Sequence, residues 1–144
     1  MAETLGALCD KLTIVKLKEY HTTDESRLQS LHSQSKQLQN EIDEYLAAAI
    51  SGKIPVEKLS FAANKVFKKE GNETKEVTGN IGEIFFRLAD VNCRLWHEVE
   101  KGYDIENVPV KEKDDLVKML AVLNLERNNC IDAINAELIK LIKK

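Results

Sequence analysis

The sequence predicts an all-α fold, an antiparallel bundle of four long helices with a short helix and a mobile loop inserted between the second and the third. Apolar residues recur every three or four positions over long segments, which places them on one face of a helix. Only six glycines and two prolines occur among 144 residues, which favours long helices over many short strands. Short connections join the periodic segments, except across residues 53–79, and short connections are typical of antiparallel neighbours. One domain, residues 1–144, accounts for this length.

The first two predicted helices are separated by a capping segment. The first helix covers about residues 3–20 and the second runs to about Ser51. Thr22 and Glu25 have the spacing of a capping box, in which Thr22 caps the second helix and Glu25 bonds back to it. Gly52 ends that helix, because a residue without Cβ adopts the left-handed conformation at little cost. The apolar faces consist of Leu5, Leu8, Leu12 and Val15 in the first helix, and Leu28, Leu31, Leu38, Ile42, Tyr45, Leu46 and Ala49 in the second.

Residues 53–79 form an irregular, lysine-rich excursion. Pro55 suits the first turn of a short helix that carries Leu59, Ala63 and Val66. The polar residues 68–76 that follow predict an exposed, mobile loop.

The third and fourth helices are predicted from about Asn80 to Gly102 and from about residue 110 to 143. Gly102 and the pair Val108-Pro109 mark the end of the third helix. Their apolar faces consist of Ile81, Ile84, Phe85, Leu88, Leu95 and Val99, and of Leu116, Leu120, Leu123, Cys130, Ile134, Leu138 and Leu141. The second and fourth helices are longer than the first, so we expect a homo-oligomer that covers their extra length.

Composition and charge exclude several classes of function. A net charge of −3 provides no general attraction to nucleic acid or to anionic membranes. No segment approaches the ~18 apolar residues of a membrane helix, and no basic segment with an apolar run follows Met1 as in a signal peptide. Cys9, Cys93 and Cys130 are odd in number and each fits a small buried position, so we expect a reducing, cytoplasmic compartment.

Three polar residues interrupt the apolar faces near the middle of their helices, and they are the main functional lead. They are Ser35, Asn92 and Arg127. A buried polar layer would explain them, with Arg127 bonded to a carboxylate such as Glu19 or to helix-end carbonyls. An oligomer interface would pair Arg127 with a partner's carboxylate. An anion site would use Arg127 for a phosphate or carboxylate, with hydrogen bonds from Asn92 and from Asn124 or Asn128.

Other residues around this lead have two interpretations each. Trp96, one turn after Asn92, is either a core residue or a stacking face for a base. Lysines of the excursion form either a solvated face or a basic lid over an anionic ligand; they are Lys58, Lys65, Lys68 and Lys69.

Catalytic motifs are poorly matched. Glu41 and Glu44 fit the first half of the Glu-x-x-Glu and Glu-x-x-Asp pairs that hold magnesium in all-α nucleotide pyrophosphohydrolases. In the second half, Asn80 stands where a carboxylate is needed before Glu83, and the two residues are better explained as a capping box. No Glu-x-x-His pair for a di-iron bundle occurs, so the sequence predicts no catalytic residue, resident metal or cofactor.

Three short motifs resemble small helical proteins of unassigned function from bacteria and phages. They are Asp10-Lys11-Leu12-Thr13-Ile14, Val91-Asn92-x-x-Leu95-Trp96 and Asn124-x-x-Arg127. The resemblance implies that Asp10, Lys11, Asn92, Trp96 and Arg127 form one constellation, and it implies no activity. Some phage proteins of this size and helical type sequester nucleotide immune signals, which is an analogy of class.

The leading functional hypothesis is therefore a non-catalytic binding protein for a small anionic ligand, for example a nucleotide or a nucleotide signal. One alternative is a structural or interaction protein that acts through oligomerisation of its long helices. Another is a divergent magnesium-dependent nucleotide pyrophosphohydrolase that uses Glu41 and Glu44.

Overall fold

Four α-helices make up most of the chain that this computed structural model describes, residues 3–61 and 77–144. They are α1 (Leu5–His21), α2 (Glu25–Ile50), α3 (Ile81–Tyr103) and α4 (Val110–Lys143). Two 3-10 turns, Val56–Lys58 and Ile105–Asn107, lie in the connections, and the described ranges contain no strand. The all-α prediction is confirmed, and the predicted bounds of α4 match within a residue.

Contacts between the helices establish an up-down-up-down order with α1 packed against the other three. Early α1 meets late α4 at Gly6 and Asn135, and later α1 meets earlier α4 at Asp10 and Arg127, so the two helices are antiparallel. Helix α3 runs parallel to α1, because its Asn92 bonds to Asp10 whereas its Trp96 lies beside His21. Helix α2 turns back along α1, with His32 beside Glu19 near the turn.

A close crossing of α1 and α4 occurs at Gly6. Its backbone N–H donates to Asn135 Oδ1 at 2.8 Å, and both residues are buried. A Cβ at position 6 would meet the carbonyl oxygen of Ile131 well inside van der Waals contact. The missing side chain therefore allows the two backbones to approach. Helix α1 begins just before this crossing, where the Thr4 side chain caps it by accepting from the Ala7 N–H at 3.3 Å.

The core divides into two clusters. The larger one fills the space around α1 and includes the fully buried Leu59, which lies just after the first 3-10 turn. The smaller one is built from α3 and α4 alone, around Val91, Leu95 and Leu123. Helix α1 ends level with Trp96, so the later part of α3 and the early part of α4 pack on each other. We refer to this end, residues 98–119, as the distal hairpin.

Helix starts differ from the predicted capping boxes. Asp24, and not Thr22, caps α2, and its side chain accepts from the Ser26 N–H at 3.0 Å. Thr22 instead closes α1, since its own N–H bonds back to the Glu19 carbonyl. Asn80 does precede α3, but its side chain makes no capping hydrogen bond.

Helix ends and the excursion were predicted with mixed success. Gly52 has a φ of 82° directly after α2, as predicted. Gly102 lies inside α3 and does not end it. A 3-10 turn replaces the short α-helix predicted after Pro55, and the loop predicted at 68–76, with Ala63 and Val66, falls outside the described residues.

Burial corrects two other predictions. Leu141 is more than half exposed, whereas its neighbour Ile142 packs against the larger cluster. Cys9 and Cys130 are buried as expected, but Cys93 is exposed.

Candidate functional site

Asp10 and Arg127 form a two-pronged ion pair between α1 and α4. Arg127 Nε donates to Asp10 Oδ1 at 2.8 Å and Nη2 donates to Asp10 Oδ2 at 2.5 Å. The Asp10 side chain is 6% exposed and that of Arg127 is 32% exposed. The hydrogen bonds to Asp10 raise the pKa of Arg127, while burial lowers it. The guanidinium charge is thus neutralised within the protein.

Asn92 of α3 joins the same pair from a third helix. Its Nδ2 donates to Asp10 Oδ1 at 3.0 Å and to Thr13 Oγ1 at 2.7 Å. The Thr13 hydroxyl in turn donates to the Asp10 carbonyl at 2.8 Å. We refer to Asp10, Thr13, Asn92 and Arg127 as the polar cluster; it connects α1, α3 and α4.

The polar cluster differs from the buried polar layer that the sequence suggested in two respects, the partner of Arg127 and the place of Ser35. The partner of Arg127 is Asp10 and not Glu19, whose carboxylate lies 3.2 Å from Lys16 Nζ. Ser35 is not in the layer, because it accepts from Gln39 along α2. Helical spacing alone leaves the rotation of each helix open, so it could not select these partners.

The asparagines of α4 lie beside the cluster without joining it. Asn124 is exposed and Asn128 is half-buried. Within the described residues, no hydrogen bond connects either side chain to Asp10, Asn92 or Arg127. The structure therefore brings Asn92 to Arg127 as predicted, but not Asn124 or Asn128.

Two residues that the resemblance placed with Arg127, Lys11 and Trp96, have other partners. Lys11 is exposed and pairs with Glu3, with 2.7 Å between Nζ and Oε2. Trp96 stacks on His21, with ring centroids 4.9 Å apart and an angle of 12° between the planes. A histidine of α1 therefore covers the stacking face that was predicted for a base.

A groove between α1 and α3 is the feature that the sequence did not reveal. Its volume is about 550 Å³. Its polar and ionisable lining consists of Thr13, Lys16, Tyr20, His21, Cys93 and His97, and Leu17 and Ala89 complete it. None of these residues carries a carboxylate. Thr13 belongs to both the groove and the polar cluster, so the two adjoin.

The sequence feature that could have indicated this groove is the one-turn spacing of its residues on each helix. Lys16 and Tyr20 are one turn apart on α1, as are Cys93 and His97 on α3. Only the packing of α1 against α3 shows that the two rows face each other.

The lysines predicted as a lid are mostly outside the described part of the chain. Lys65, Lys68 and Lys69 lie there, and Lys58 is exposed at the end of the 3-10 turn. No lid is therefore assigned.

Glu41 and Glu44, the candidate magnesium ligands, lie on α2 at a separate cavity of about 550 Å³ that Glu3 and Tyr45 also line. Glu41 accepts a hydrogen bond from Gln37. Glu83 lies instead beside Gly79 at the start of α3. Among residues 3–61 and 77–144, no group of three His, Cys, Asp or Glu side chains is arranged to hold a metal ion.

Comparisons with protein-family models, curated proteins and solved structures gave no match. The resemblance to small bacterial and phage proteins thus stays a prediction. None of the described helices combines the length and apolar character needed to cross a membrane.

Proposed function

We propose that this protein is a non-catalytic binding protein for a small anionic ligand, with its site in the groove between α1 and α3. The lining of that groove carries this proposal. Lys16, His21 and His97 are its nitrogen bases and none of its lining residues is acidic. A carboxylate or phosphate in the groove would meet hydrogen-bond donors and positive or neutral lining groups. Lys16 also bonds to Glu19 on its own helix, and because Lys16 is 76% exposed, this pair is weaker than the buried pair of Arg127.

Arg127 has a different role in this proposal from the one the sequence suggested. Asp10 already occupies two of its donors, so a ligand anion there would have to displace a buried carboxylate. Separating such a pair leaves an uncompensated charge, which is strongly unfavourable. The polar cluster instead fixes the positions of α1 and α3, which form the walls of the groove.

The groove also suggests the chemical class of its occupant. Its volume of about 550 Å³ is within the range of small-molecule sites, roughly 300–1,000 Å³. Leu17 and Ala89 supply apolar wall, and the exposed Tyr20 ring lies at the same groove. A ligand with one anionic group and one planar apolar group, such as a nucleotide, matches this combination.

A titration of the ¹⁵N-labelled protein with a panel of nucleoside monophosphates, cyclic nucleotides and the parent nucleosides tests the proposal. Amide shifts are expected in α1 around Lys16 and in α3 around His97, with the phosphorylated compounds binding more tightly than the nucleosides. The double variant Lys16→Gln/His97→Gln should weaken binding at least tenfold. The control Lys140→Gln removes a lysine of α4 that also pairs with a glutamate one turn away, and it should change nothing.

Two results would contradict this function. One is a panel in which no anionic member shifts these amides. The other is equal loss of affinity in the double variant and in the control.

A second function is favoured by the distal hairpin, namely association with another protein chain. Tyr103, Val110 and Val117 are 89%, 83% and 63% exposed there. Large exposed apolar side chains are candidates for an interaction surface, and others lie outside the hairpin at Tyr20, Ile50 and Phe86. The molar mass of the wild-type protein measured by light scattering should then rise with concentration. Val117→Glu should bring that mass closer to the mass of the monomer. Phe86→Glu, at an exposed position of α3 outside the hairpin, is the matched control. A monomeric wild-type protein at all concentrations would argue against self-association.

A further inference from the structure

Two polar atoms of α3 are buried without a hydrogen-bond partner in the described part of the chain. They are Asn92 Oδ1 and Trp96 Nε1. Buried polar atoms in folded proteins are nearly always paired, so each unpaired atom needs an explanation. An amide oxygen can only accept and an indole N–H can only donate. The two atoms therefore have opposite and complementary needs.

The orientation of the Asn92 amide is determined by its neighbours. Both hydrogens of Nδ2 are used, one for the Asp10 carboxylate and one for Thr13 Oγ1. Thr13 cannot offer its own hydrogen in exchange, because that hydrogen already bonds to the Asp10 carbonyl. Turning the amide over would point Oδ1 at a carboxylate oxygen, which is repulsive. Oδ1 is thus left as a free acceptor.

The two unpaired atoms belong to neighbouring turns of one helix. Residues four apart lie on the same face of a helix, with their Cβ atoms about 5–6 Å apart. Asn92 is 1% exposed and His21 covers the Trp96 ring, so bulk water does not serve these atoms. Thr13 links this region to the groove, since it bonds to Asn92 and also lines the groove.

We propose that Asn92 and Trp96 together bind a single hydroxyl group, which accepts from Trp96 Nε1–H and donates to Asn92 Oδ1. Either a water molecule or a hydroxyl of the groove's occupant has this chemistry. The water form is independent of the proposed function, whereas the ligand form rests on it.

Trp96 is the only tryptophan of the chain, so its indole N–H gives one signal that needs no assignment. The measurement is a ¹⁵N-resolved NOE and ROE spectrum of the full-length protein, recorded at the indole proton before and after dialysis against denaturant and refolding. Dialysis removes a carried small molecule but leaves water. The wild-type protein is used, so no variant has to fold.

A cross-peak from the indole proton to a proton at the water frequency, with the sign of a long-lived complex, identifies bound water. A cross-peak to a non-protein proton that disappears after refolding identifies a ligand hydroxyl. Either result supports the site. An indole proton with neither cross-peak, or one that exchanges with bulk water at the rate of free tryptophan, overturns it. Failure of the nucleotide titration leaves the water result untouched, so the two proposals are separately testable.

Discussion

Asp10 and Arg127 are separated by 117 positions in the chain and are joined by two hydrogen bonds, of 2.8 and 2.5 Å. The pair connects the first helix to the last, and Asn92 ties the third helix to the same carboxylate. A charge that interrupts an apolar face is thus accounted for by a charge on another helix. The consequence is that Arg127 contributes to stability, and its substitution has a measurable cost.

Arg127→Met should lower the free energy of unfolding by about 3 kcal/mol, the lower end of the range for breaking a buried ion pair, because Arg127 is partly exposed. Asp10 would remain buried with Asn92 as its remaining side-chain partner. Urea unfolding followed by circular dichroism measures the change. Arg94→Met, which removes the ion pairs of a half-exposed arginine with Asp90 and Glu126, should cost less than about 1 kcal/mol. Equal losses in the two variants would show that the Asp10 pair is not structurally important.

Gly6→Ala should destabilise the protein by about 2 kcal/mol or more, because the added methyl group meets the Ile131 carbonyl and forces α1 away from α4. Backbone cannot move aside as a flexible side chain can. Gly82→Ala is the matched control, since no atom lies within 4 Å of its added Cβ. That variant should gain up to about 1 kcal/mol from reduced freedom of the unfolded chain. Thermal unfolding of both variants gives the comparison, and a stable Gly6→Ala protein would contradict the close crossing.

The three thiols should differ in reactivity. Cys93 is exposed, whereas Cys9 and Cys130 are buried and burial raises the pKa of both. One equivalent of a thiol reagent such as DTNB should therefore react quickly with the native protein, and three should react after unfolding. Cys93→Ser should remove the fast reaction. A fast reaction of DTNB with the native Cys93→Ser protein would mean that a second cysteine is accessible.

Stability should fall at alkaline pH through Cys9. Burial and the neighbouring Asp10 charge raise the pKa of this thiol from 9.0 to about 12. The folded protein then holds the proton more tightly than the unfolded chain does. The contribution is fully present below pH 9 and is lost as pH rises from 9 towards 12, by up to about 1.4 kcal/mol per pH unit.

Other groups titrate in this range too. The informative quantity is therefore the difference between wild type and Cys9→Ala in the slope of the free energy of unfolding against pH.

The extent of each helix was readable from the sequence because its causes are local. The 34 residues of α4 follow Pro109 directly, and α2 ends beside Gly52, a glycine with positive φ. Apolar spacing identified Leu88, Leu123 and Ile134 as core residues, and all three are buried. Periodicity also marked Asn92 and Arg127 as inward-facing polar residues, which is why the polar cluster was partly predictable.

The partner of each residue was decided only by the tertiary structure. Helical periodicity states which face of a helix is apolar, but not how far that helix is rotated or shifted against another. Asp10, and not Glu19, therefore emerged as the partner of Arg127. Gly6 is required because the carbonyl of Ile131 lies where a Cβ would be. The groove between α1 and α3 is formed by two rows of side chains on separate helices. The sequence by itself determined the helices and their buried faces, and the packing of α1 against α3 and α4 decided which side chains meet.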